Sequence, residues 1–250
     1  MQDFPCSDVI YKYTKHVHKY VKALGMHLAI LMANTDESEF ASHHPKDGEK
    51  FTQFLAPLRP DWRFTVFAVK DGEFPEGLEG FDGFIITGSP ASVHDPEPWV
   101  EHLMALIRQI RTDDRPIFGA CFGHQAIAKA LGGVVAKNPG GWVFGLSETQ
   151  MEGEQIRLYA AHNEQVTTLP EGAEALGGNT ECPIGAYRIG PRVLTTQYHP
   201  EITPSFAAAL VAEYASKLPP DVAARAKASL GQEAEMGRIA ARVVRFFEEA

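Results

Sequence analysis

The chain has 250 residues, 44% of them hydrophobic and 22% charged, a globular composition that excludes disorder throughout. Its 32 acidic residues outnumber 23 basic ones for a net charge of −9, and such a body repels a phosphate backbone, which argues against nucleic-acid partners. Three widely spaced cysteines, Cys6, Cys121 and Cys182, make neither a disulfide framework nor a zinc knuckle; a reducing cytoplasm is expected, where a lone cysteine can act as a nucleophile.

Taken in chain order, Ile10, Tyr13, Val17, Val21 and Leu24 fall on one helical face, with Ser7 placed as N-cap and Gly25 as the residue just past the end. Lys12, Lys15, Lys19 and Lys22 make this segment basic. It reads as an N-terminal helical extension over residues 1–25 docked on a domain over 26–250, with a membrane-surface or partner-docking helix as the alternative. Elsewhere no apolar run approaches the ~20 residues of a membrane span and no secretory signal opens the chain, so no membrane association is expected.

Short apolar runs at residues 26–33 (MHLAILMA), 63–69 (RFTVFAV), 84–87 (FIIT) and 116–119 (PIFG) have the Ile, Val and Phe content of buried strands. Between the last two, Trp99, Leu103, Leu106, Ile107 and Ile110 form one helical stripe. Strands alternating with helices predict an α/β fold with a mostly parallel central sheet flanked by helices. Residues 134–160 differ: strand-like segments follow one another around Asn138-Pro139-Gly140-Gly141, so some antiparallel strands are expected in the second half. A late strand at 193–198 (VLTTQY) runs into His199-Pro200-Glu201. Thr203 and Pro204 then read as N-cap and N1 of a helix through 218. A final helix to about 247 has Ile239, Val243 and Phe246 as its expected buried stripe.

The most informative stretch is Gly119-Ala120-Cys121-Phe122-Gly123-His124-Gln125, where a strand ends and a helix begins. Glycines on both sides of Cys121 relieve Cβ clashes in a sharp strand-to-helix turn, and the helix N-terminus favours a thiolate there. This is nucleophile-elbow logic with Cys in place of Ser. His199 is the candidate base, and Glu201, two residues on, the group that orients it. Thr87-Gly88-Ser89-Pro90 follows another strand; the Ser89 N–H, with Gly88 permitting the turn, and the Phe122 N–H are the expected oxyanion donors.

GACFGHQ and QYHPE resemble the two signatures of the class I glutamine amidotransferases of the Cys-His-Glu type, such as the glutaminase domain of GMP synthetase. GSPASV is similar to the family's oxyanion loop, and AAHNEQVTTLP (residues 160–170) to a stretch lining its glutamine pocket. The likeness runs over residues 26–205 in matching order and implies a flavodoxin-like amidotransferase fold. It implies that Cys121 attacks the side-chain amide of glutamine, giving glutamate and ammonia for an acceptor on a separate synthetase. Gln125, His162 and Asn163 would help hold the substrate, with no cofactor. Three departures stand out. Ser89 replaces a usual glycine, where a positive φ would be costly. The His162 stretch differs from the Ser-His-Gly-Asp of GMP synthetases. Neither a P-loop nor a pyrophosphatase loop is present. The alternatives are a standalone γ-glutamyl peptidase with the same triad and a wider pocket, and a non-catalytic regulatory or binding subunit.

Cys182, beside Pro183, has no base near it in sequence and reads as structural. His43-His44 and the pair His16 and His18 lack a third ligand, so no metal site is expected. Trp99 and Trp142 read as packing residues, Trp142 alternatively as the rim of a pocket.

Overall fold

The computed structural model describes residues 25–250; the expected helix before Gly25, together with Cys6, His16 and His18, lies outside them. Strands β1 (His27–Leu31), β2 (Arg63–Phe67), β3 (Gly83–Ile86), β4 (Ile117–Ala120) and β11 (Val193–Thr196) form a parallel sheet in the order β2-β1-β3-β4-β11. Two antiparallel strands, β10 (Ala186–Ile189) and β9 (Ala173–Gly177), extend it beyond β11 to seven strands. The four predicted early strands are present; β1 and β2 are shorter than their apolar runs, and β3 and β4 are shifted from theirs by one residue. The late strand stops at Thr196, so Gln197 and Tyr198 belong to the loop that carries the site.

Alternate residues of these strands enter opposite cores, as a period of two requires. Ala29, Leu31, Phe84, Ile86 and Ile117 pack beneath α3 (Pro98–Thr112) and α4 (Phe122–Ala130), while Leu28, Ile30, Ile85 and Phe118 pack against α2 (Asp47–Leu55) and α7 (Met236–Glu249). A single turn, α1 (Glu39–Ser42), precedes α2. On α3 the predicted stripe is buried at Leu103, Leu106, Ile107 and Ile110, with Trp99 half-buried against Phe122. On α7 the stripe closes at Phe247 and not at Phe246: starting from Ile239 and Val243, the next position on the same face is four residues on.

The second half holds two small sheets. In one, β5 (Val134–Lys137) pairs with β8 (Glu164–Thr168); in the other, β6 (Val143–Met151) pairs with β7 (Glu154–His162). The Asn138 turn therefore links strands that do not pair. The tight hairpin lies at Glu152-Gly153, whose φ of 49° and 80° both fall in the left-handed region that a two-residue loop of this hand requires. The helix expected from Pro204 to residue 218 ends earlier, as α5 (Pro204–Tyr214), and residues 215–217 continue as turn ahead of Pro219 and Pro220. Those prolines open α6 (Pro220–Ser229), a helix that the hydrophobic pattern did not disclose.

Candidate active site

Three neighbouring parallel strands end at one place. β3 delivers Thr87-Gly88-Ser89, β4 delivers Cys121, and β11 delivers Gln197 and His199, so residues far apart in sequence meet at the carboxyl edge of the sheet. Cys121 has φ 50° and ψ −105° at the N-terminus of α4, a conformation costing a non-glycine residue about 1–3 kcal/mol. Close packing holds it there. The Cys121 N–H donates to the Thr196 carbonyl at 2.9 Å. A Cβ on Gly119 would lie 2.6 Å from the Gly123 carbonyl carbon, and one on Gly123 would lie 2.4 Å from the Ile86 carbonyl oxygen. Both flanking glycines are thus required by close approach, while the strained angle sits on the cysteine itself.

His199 hydrogen-bonds through Nδ1 to Glu201 Oε1 at 2.8 Å, which leaves Nε2 for Cys121. Its own N–H donates to the Tyr159 carbonyl at 2.8 Å, tying the loop to β7. Burial disfavours the imidazolium, but the charges of Cys121 and Glu201 beside the ring outweigh that cost and hold His199 well above its usual pKa. Glu201 is itself buried. The three expected triad residues are together.

Gly88 faces this pair directly: a Cβ there would stand 2.6 Å from His199 Cε1 and 3.6 Å from the Cys121 Cβ. The sequence suggested a glycine that permits a turn; the structure shows one that leaves room for a ring, and its φ is not positive. Ser89 also avoids positive φ, so the serine departure costs no backbone strain. Thr87 Oγ1 accepts from the Ala33 N–H at 3.0 Å and donates to the Gly88 carbonyl at 3.0 Å, fixing the loop. Among the described residues, neither the Ser89 nor the Phe122 N–H donates to a backbone carbonyl.

Gln197 is the residue that sequence reading missed. Fully buried, it donates from Nε2 toward Cys121 Sγ at 3.7 Å, and its Oε1 accepts from Gln125 Nε2 at 3.1 Å. Gln125 Nε2 also donates to the Glu164 carbonyl at 2.8 Å, so the amide nitrogen expected to hold substrate is committed inward. The available signal was parity: in extended backbone, residues 197 and 199 project to the same side.

His162 is buried with Nδ1 3.0 Å from the Glu164 carbonyl. Burial pushes its pKa down to about 4, and the nearby His199 charge adds to this. Asn163 lies at the bend between β7 and β8, its carbonyl accepting the Asn138 N–H at 2.8 Å; no hydrogen bond among the described residues joins it to the triad. Cys182 is buried, and burial, with the nearby Cys121 adding to it, pushes its thiol up to about 12. Trp142 is on the wall of a cavity of about 420 Å³ that opens beside His199 and Ser89. No helix among the described residues is long and apolar enough to cross a membrane.

The family model "Glutamine amidotransferase class-I" matches residues 6–213. Gamma-glutamyl peptidase 4 of Arabidopsis thaliana is 33% identical over 189 residues, covering 69% of this chain and 74% of the relative. GMP synthase (glutamine-hydrolyzing) of Porphyromonas gingivalis is 31% identical over 165 residues, covering 62% of this chain and 32% of that longer protein. Among solved structures, a glutamine amidotransferase from Thermotoga maritima superposes with a TM-score of 0.69 at 18% identity, covering 89% of this chain and 98% of its own, and so shares the fold. The chain belongs to the class I glutamine amidotransferase family.

Proposed function

We propose that the protein hydrolyses γ-glutamyl amides through a thioester on Cys121. The observation that carries this reading is one imidazole held at 2.8 Å by a buried carboxylate beside a cysteine on a strained strand-to-helix turn. His199 takes the thiol proton, and Cys121 Sγ bonds to the amide carbon, whose oxygen meets the N–H groups of Phe122 and Ser89. The C–N bond then breaks as His199 returns its proton to the leaving nitrogen. Water, deprotonated by His199, attacks the thioester and regenerates the thiol, leaving glutamate and an amine. The Gln197 amide and the N-terminus of α4 direct donors at the sulfur while it is anionic.

Glutamine is the smallest substrate of this class, and its leaving amine is ammonia, available to an acceptor on a separate synthetase. A second reading, cleavage of γ-glutamyl peptides, is favoured by the cavity beside His199 and by the likeness to the plant γ-glutamyl peptidases. Release of glutamate from glutamine and from a γ-glutamyl dipeptide, by the wild type and by Cys121→Ala, tests the shared chemistry. Glutamate release that survives Cys121→Ala overturns it, and none from the wild type favours a binding or regulatory subunit.

A further inference from the structure

The cavity of about 420 Å³ shares His199, Glu201, Gly88 and Ser89 with the triad, but Cys121, Gln125, His162 and Asn163 are not on its walls. It therefore adjoins the imidazole and the loop after β3 without reaching the elbow itself. In amide hydrolysis His199 hands its proton to the departing nitrogen, so whatever that nitrogen carries starts beside this ring, which the cavity shares. Ammonia is about the size of a water molecule, whose share of liquid volume is about 30 Å³. The cavity exceeds that more than ten-fold and falls in the range of small-molecule sites.

One wall is apolar, and the other, around Glu37, Asp47, Lys50, Lys70 and Asp71, is charged. Helix α5 buries Ala207 and Val211 in the body of the protein, while Phe206, Leu210 and Tyr214, four residues apart, form a second apolar stripe that lines the cavity. This stripe begins shortly after Glu201, so its register is tied to the triad. Phe40 meets Phe206 at a tilt and His44 meets it edge-on, and Trp142 and Phe144 continue from Tyr214. These aromatic side chains are only half-buried, an exposure that a soluble surface tolerates poorly unless something covers it. A glutamyl moiety would need free charges for its ammonium and carboxylate. Of the cations on the charged wall, Lys50 is spent on Asp47 at 2.8 Å and Lys70 on Glu37 at 2.6 Å and Asp71 at 2.7 Å, while Asp36 accepts the Ser38 N–H at 3.0 Å; only the exposed Lys46 has no ion pair among the described residues.

We infer that this cavity is the amine subsite and that it takes the leaving half of a γ-glutamyl amide whose amine bears an aromatic side chain. This rests on the amide-hydrolase reading above and names its substrate class. When the C–N bond breaks and His199 protonates the nitrogen, the aromatic group remains against Phe206, Leu210 and Tyr214 while the glutamyl half stays on Cys121.

The test is a comparison of kcat/KM for glutamine, γ-glutamylglycine and γ-glutamylphenylalanine with the full chain, repeated with Phe206→Ala and Trp142→Ala. Burying one aromatic ring predicts about a ten-fold or greater preference for γ-glutamylphenylalanine over γ-glutamylglycine. That ratio should fall in both variants, and in at least Trp142→Ala if Phe206→Ala does not fold. Equal turnover of the two dipeptides, or a preference that both variants retain, overturns the subsite and leaves the hydrolase reading standing. Absence of hydrolysis of all three substrates defeats the hydrolase reading and the subsite with it.

Discussion

Replacing Gly88 by alanine puts a methyl group against the candidate base. The new carbon would sit 2.6 Å from His199 Cε1 and 3.3 Å from Nδ1. Carbon atoms in contact keep roughly 3.5–4.0 Å apart, so the ring must retreat by about 1 Å. That movement disturbs the 2.8 Å bond to Glu201 and the alignment with Cys121 together. A misplacement of about 1 Å at a reacting group costs on the order of 100-fold in rate. The fold should tolerate the change. Gly88 does not use positive φ, so alanine adds no backbone strain, only about 1 kcal/mol of crowding and roughly 2–4 °C in melting temperature. Steady-state kinetics beside a thermal melt make the comparison. A variant that melts within those few degrees of wild type yet keeps its kcat within three-fold would show that His199 needs no such clearance, and the placement of the ring would be wrong.

Other consequences follow from single contacts. Glu201→Gln removes one of the charges that raise His199; the imidazolium then loses its proton at lower pH, so the alkaline limb of the kcat profile should shift to lower pH, and an unmoved limb would contradict the pairing. Gln197→Leu deletes a donor to the sulfur and should slow acylation about ten-fold with little change in KM, the scale of a hydrogen bond to a charged group; Gln197→Leu acylating at the wild-type rate would remove Gln197 from the site. Acid should destabilise the fold early. Burial pushes His124 down to about 3 and His162 to about 4, so below pH 6.5 the unfolded chain binds protons that the native one refuses, and stability falls as pH drops. Between pH 6.5 and 5 the loss is about 2 kcal/mol for each histidine, and denaturant midpoints that do not move over that interval would refute it.

Strand positions and the candidate triad were legible in the sequence because each rests on a local signal. Apolar runs bounded by turn residues mark β1 through β4, and Gly119, Cys121 and Gly123 spell out a sharp turn. The reason for Gly88 was not legible, since the ring it makes room for arrives from His199 through the folding of the whole sheet. Gln197 escaped for a similar cause: glutamine has no strong local preference, and its meaning comes from Cys121 and Gln125 on another element. The pairing of β5 with β8 in place of β6 is likewise non-local, whereas Glu152-Gly153 is a local hairpin signal that went unread. The amine cavity is assembled from α5, β6 and the segment after β1, and only Trp142 hinted at it.

The central claim is that Cys121 is the residue acylated. Intact-mass and peptide mapping after treatment with a glutamine-like diazoketone tests it most directly, because the reagent needs both a γ-glutamyl site and a nucleophile. A single adduct on Cys121 is predicted, absent from Cys121→Ala and leaving Cys182, whose thiol burial raises to about 12, unmodified. Labelling of Cys182 in preference to Cys121, or an unlabelled Cys121 in folded protein, would contradict the claim.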